Sequence, residues 1–168
     1  MERRTFLSLA AVLAAGGVAQ SAAAPVAPDE AGNEAGARLL GDFLAALNSH
    51  DLALLDRMYA EEGFIQHQAL AGSGSSTAGR EAIKAYFAKR LAAFPDLRVK
   101  NDISFMRNDL VAAHFIWSGT HRAEYLGVPA TGSYVTFSST DILRVSGGFF
   151  IEHWGTVDFF GLLRQLKR

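Results

Sequence analysis

The sequence predicts one α+β domain, a curved antiparallel sheet wrapped around N-terminal helices. Two observations carry this. Apolar residues recur at helical spacing through the first half of the chain. The second half switches to long runs of β-branched and aromatic residues separated by turn signals. Helices followed by a run of strands belong to the α+β class.

The elements follow in order. Leu39, Leu40, Phe43, Leu44 and Leu47 define a helix over 34–48, which Asn48 and Ser49 end. Asp51 can cap a short second helix with Leu52, Leu55 and Met58 on one face. Residues 64–68 (FIQHQ) fit a short strand, and 72–79 (GSGSSTAG) a flexible loop. A helix over 80–94 carries Ile83, Tyr86, Phe87, Arg90, Leu91 and Phe94 along a broad stripe, and Pro95 stops it. Strands are expected over 97–106, 110–121, 134–145 and 149–157. Asn108-Asp109, Gly127–Gly132 and Ser146-Gly147-Gly148 separate them, and a helix over 159–166 closes the chain.

The 168 residues suffice for one domain with a sizeable core. Residues 1–23 read as an export leader instead. Arg3 and Arg4 precede an apolar run from Phe6 to Val18, too short to span a membrane. Ser21, Ala22 and Ala23 suit signal peptidase, with cleavage expected after Ala23. The paired arginines point to the twin-arginine route, with the Sec route as the alternative. The expected location is periplasmic or secreted, without a stable membrane anchor after processing. Residues 24–33 are expected to form a flexible linker, and 34–168 the domain.

Charge and composition narrow the function. Net charge is −1, or −2 once the leader is removed, so no basic field marks a nucleic-acid partner. The absence of Cys excludes disulfides, thiolate catalysis and Cys-ligated metal clusters. Neither HxH nor HExxH occurs, so no metal site is expected. A GxSxG elbow is also missing, and no GK[ST] follows the GSGSS segment.

The last hairpin supplies the candidate chemistry. A three-residue loop pairs residues whose numbers sum to 294 and leaves one apolar face: Phe137, Leu143, Ile151 and Val157. Two polar residues interrupt that face, Asp141 and, directly opposite, His153. A carboxylate beside an imidazole orients it and favours its protonated form, so the two are the candidate catalytic residues. Trp117 on the neighbouring strand is expected to line the same pocket. His67 and His121, at strand ends, are further pocket candidates. His50 is expected in a solvated loop and His114 on the outer face.

The ordered blocks AFPDLRV (93–99), GTH (119–121), LGVPATG (126–132), DILRV (141–145), IEHW (151–154) and GLLRQL (161–166) resemble the SnoaL-like polyketide cyclases, or ester cyclases, over about residues 35–167. The resemblance implies a cone of helices and curved sheet around one pocket, as in nuclear transport factor 2 and ketosteroid isomerase. It implies ring closure of a small apolar, polyketide-like compound by an aldol step, without metal or cofactor. It also brings a homodimer into consideration. In resembling sequences the acid commonly follows EHW directly; here that position is Gly155. Three function classes therefore stand open. One is a cofactor-independent lyase, isomerase or cyclase using Asp141 and His153. Another is an exported binding or accessory protein that has lost the acid. The third, an epoxide or ester hydrolase, lacks support because Arg144 has the wrong parity to join Asp141.

Overall fold

A computed structural model describes residues 30–67 and 77–167. The expected leader lies outside the described residues. The first helix, α1, spans Glu30–Ser49. Residues 30–33 therefore extend the helix instead of ending the linker, and acidic Glu30 suits the positive end of its dipole. Asp51 caps a 3-10 turn, Leu52–Arg57, by accepting from the Ala53 amide at 3.0 Å.

Two short strands follow, β1 (Ile65–Gln66) and β2 (Thr77–Ala78). The second falls inside the expected loop. Helix α2 runs Arg80–Ala93. Strands β3 (Arg98–Arg107), β4 (Leu110–Thr120), β5 (Tyr134–Ser146) and β6 (Phe149–Val157) follow, then α3 (Phe159–Leu166). The strands form one curved, unclosed sheet in the order β2-β1-β6-β5-β4-β3. All neighbours are antiparallel except β1 and β6. No helix among the described residues is long and apolar enough to cross a membrane.

Strict alternation gives the sheet an inner face. Val111, Ala113, Phe115 and Trp117 on β4 are buried, and Val135, Phe137, Ser139, Asp141 and Leu143 match them on β5. Against this face α1 packs Leu39, Leu40, Phe43 and Leu47, while α2 brings Ile83, Phe87 and Arg90. Helices thus cover the concave side, and the space between them and the sheet becomes the site.

The β5–β6 hairpin differs from the expected register. Ser146 pairs with Phe149, so the turn has two residues, and Gly147 (φ 57°) and Gly148 (φ 82°) take the positive φ such a turn requires. Continued unbroken, that register would set Leu143 against Glu152 and turn a charge inward. A bulge at Ile151 prevents this: Val145 pairs with Phe150, but Arg144 pairs with Glu152 and Leu143 with His153. The pairs beyond the bulge sum to 296, not 294. Both sums are even, so Asp141, Leu143, His153 and Val157 keep the inner side while their partners shift by two. Ile151, the extra residue, gives up the position opposite Leu143 to His153, and fully buried Phe150 pairs with Val145.

The turn after α2 is fastened to the end of β4. Exposed Asp96 accepts from the Thr120 amide at 2.6 Å and from the Thr120 hydroxyl at 2.7 Å. The amide first, then the hydroxyl, holds this carboxyl below the usual carboxylate range. A depressed folded value means that the stabilisation is complete at neutral pH. It is lost as pH falls through the unfolded value, about 3.9, and then the lower folded one. Asp96→Ala should lower urea stability at pH 7 by about 1 kcal/mol or less, given the exposure, and by progressively less below pH 4.

Candidate active site

A cavity of about 80 Å³ lies between the sheet and the helices. That is room for several waters. Most of its wall is apolar, with Phe43, Ile83, Phe87, Phe115, Trp117 and Leu143 among the residues facing it. The polar lining is sparse: Tyr59, Gln66, Tyr86, Arg90, Ser139, Asp141 and His153. A few convergent polar groups in an apolar hollow are the usual form of a small-molecule site.

Asp141 and His153 meet in it. His153 Nε2 lies 2.6 Å from Asp141 Oδ1, although the residues are diagonal neighbours and not directly paired. Directly opposite Asp141 stands Gly155. A Cβ at Gly155 would lie 2.7 Å from Asp141 Oδ1 and 2.8 Å from His153 Nε2. The missing side chain is what lets the carboxylate lean across β6 to the imidazole. Gly155 therefore marks no vacant acid position in this chain; the acid–imidazole contact fills the space.

Further hydrogen bonds hold both partners. Gln66 Oε1 accepts from His153 Nδ1 at 2.7 Å, and Nε2 must also carry a proton to meet Asp141 Oδ1, itself an acceptor. On the other side the Ser139 hydroxyl donates to Asp141 Oδ2 at 2.5 Å and accepts from Trp117 Nε1 at 2.9 Å. The line Gln66–His153–Asp141–Ser139–Trp117 thus crosses β1, β6, β5 and β4. Burying a carboxylate is unfavourable unless hydrogen bonds answer it, and each Asp141 oxygen has one.

Two phenols stand nearby. Burial, then the Asp141 charge, pushes Tyr59 far up from its ordinary value. Tyr86 is raised chiefly by burial. Both keep their protons across the physiological range and can donate to a substrate oxygen. Opposite the sheet, Arg90 of α2 is 2% exposed. It donates from Nε to Tyr125 Oη at 3.2 Å and from Nη2 to Tyr86 Oη.

The other expected pocket residues divide. Trp117 and Leu143 line the cavity. Phe137 faces the same way but sits behind Trp117, with ring centroids 6.3 Å apart. His67 does not reach the cavity: its neighbour Gln66 points inward, so parity turns His67 out. There it stacks on Trp154 at 4.5 Å and approaches Glu152 at 3.6 Å. His121 is fully buried but packs on Phe94 at 5.4 Å and bonds to Thr131, away from the cavity lining. Ile151 is excluded by the bulge. Asp158 caps α3 by accepting from Gly161, and Arg144 joins Glu152 and Asp109 on the outer face. His114 pairs with Asp102 on that face.

These features define a cone of curved sheet and helices with a hydrogen-bonded acid–imidazole pair in an apolar hollow. The model of the SnoaL-like polyketide cyclases matches residues 37–166, and the chain belongs to that family. TsrD from Streptomyces laurentii shares 28% identity at TM-score 0.71, over 79% of this chain and 95% of that one. IdmH, a polyketide cyclase candidate from Streptomyces antibioticus, shares 28% at TM-score 0.69, over 79% of this chain and 99% of that one. AclR, a hydroxylase candidate from Streptomyces galilaeus, has the same fold at 24% identity and TM-score 0.70, over 80% of this chain and 97% of that one. None of the curated proteins compared matches the chain.

Proposed function

We propose that the protein is a cofactor-independent cyclase or isomerase that removes a proton beside a carbonyl of a compact, largely apolar substrate. The observation that supports this reading is the Asp141–His153 pair, fixed from both ends by hydrogen bonds and facing the cavity. In the first step the substrate's α-carbon gives its proton to the pair, and the C–H electrons become an enolate. Tyr59 and Tyr86 are the donors available to the developing oxygen charge. For ring closure the enolate carbon bonds to a second carbonyl carbon. That carbonyl's π electrons become an alkoxide, which takes the proton back, so no atom is lost. Isomerisation differs only in returning the proton to another carbon.

The binding-protein reading drew on Gly155, and the close approach of Asp141 and His153 accounts for that glycine within an acid–base site. The hydrolase reading needs an arginine held between two carboxylates; Arg144 is engaged on the other face, and Arg90, which does line the cavity, forms no salt bridge with a carboxylate among the described residues. The leader motif supports action outside the cytoplasm.

Proton abstraction can be followed without knowing the natural substrate. In D2O the protein should accelerate deuterium entry at the benzylic carbon of phenylacetone, read by proton NMR, well above the buffer rate. Binding of phenylacetone without any acceleration would favour a carrier instead.

A further inference from the structure

Arg90 is not used by the proton-transfer step, and its surroundings are unusual. The guanidinium is buried yet lines the cavity. Among the described residues it forms no salt bridge with a carboxylate. Two of its N–H donors are taken by the Tyr125 and Tyr86 hydroxyls. An arginine carries five, and it stays charged under all ordinary conditions.

Aromatic faces supply part of its stabilisation. The guanidinium carbon lies 4.7 Å from the Trp117 ring centroid and 4.8 Å from that of Tyr86. Such contacts partly offset desolvation of a cation, and among the described residues no hydrogen bond takes its remaining donors. Those donors belong to a planar fork suited to a carboxylate. Asp141, the cavity's own carboxylate, is engaged by His153 and Ser139 instead. The cavity therefore holds a proton-transfer pair on the sheet side and, on the helix side, an arginine that makes no salt bridge among the described residues.

We propose that Arg90 is the anchor for a carboxylate on the substrate, so that the cavity selects compact apolar or aromatic acids over their neutral counterparts. The anion meets the guanidinium and the rest of the molecule lies against Trp117, Phe87 and Phe115. The reacting carbon is thereby held on the side of Asp141 and His153. This selectivity rests on the proposed function only in taking the cavity as the substrate site. Its test is a binding measurement and stands whether or not proton exchange is found.

Phenylacetate and phenylacetamide have the same shape and differ in charge. Calorimetry on the full chain should show phenylacetate binding at least about tenfold more tightly at pH 7. Arg90→Met, of similar length and without charge, should abolish that preference, and Arg90→Lys should keep part of it. The wild-type comparison needs no folded variant. Equal affinity for the two compounds, no measurable binding of phenylacetate, or a preference that survives in Arg90→Met would overturn the proposal. Loss of phenylacetone exchange with the carboxylate preference intact would count against the catalytic reading alone.

Discussion

Asp141→Asn and His153→Gln should each slow phenylacetone exchange by about 10²-fold or more, within the range general acid–base catalysis spans. Asparagine keeps the shape of the carboxylate and can still accept from His153 or Ser139, but it cannot hold a transferred proton. Glutamine keeps a polar end and loses the ring that links Gln66 to Asp141. Neither change opens a large void, so circular dichroism and the thermal midpoint should stay near wild type while the rate falls. Ser139→Ala is the milder companion: it removes one donor to Asp141 and strands the Trp117 N–H, so the loss should be smaller.

Substitution of Gly155 should be nearly as damaging, and for a steric reason. A methyl group there would stand 2.7–2.8 Å from the two atoms that make the Asp141–His153 contact. These belong to side chains held at their far ends by Ser139 and Gln66, so they cannot withdraw without breaking further hydrogen bonds. Gly155→Ala should therefore separate the pair and cost exchange activity by about the same factor as removing one member. Gly155→Asp adds a second carboxylate against the first, and like charges in a buried site resist joint ionisation. It should be inactive, although it places an acid directly after the EHW block. Wild-type exchange in Gly155→Ala, with the fold intact, would show that the close contact is not needed.

Much of this site can be read from alternation alone. Asp141 and His153 share a face because their strand partners keep an even sum, whichever of the two even registers holds. The register itself is harder, because Ser146-Gly147-Gly148 suits either a two- or a three-residue loop. The bulge at Ile151 answers a tertiary demand, that Glu152 and Trp154 stay outside with Arg144 while Leu143 faces the core. Gln66 and Ser139 carried a usable signal: each alternates with an inward apolar neighbour, Phe64 and Phe137. Arg90 was visible as one cation within the apolar stripe of α2, but length lets an arginine reach solvent from such a position, so the stripe could not show that it stays buried. Tyr59 follows a 3-10 turn with no period to read. His67 and His121 sit at strand ends, where alternation is the weakest guide to which side a residue faces. The short pairing of β1 with β2 depends on partners distant in sequence, and two residues carry no pattern of their own.

The central claim is that Asp141 and His153 work as one proton-transferring unit, and a double-mutant cycle on phenylacetone exchange tests it most directly. If they act together, Asp141→Asn/His153→Gln should lose about as much rate as either single change, because the first substitution already disables the unit. Single variants with near wild-type rates, or losses that multiply in the double variant, would contradict the account.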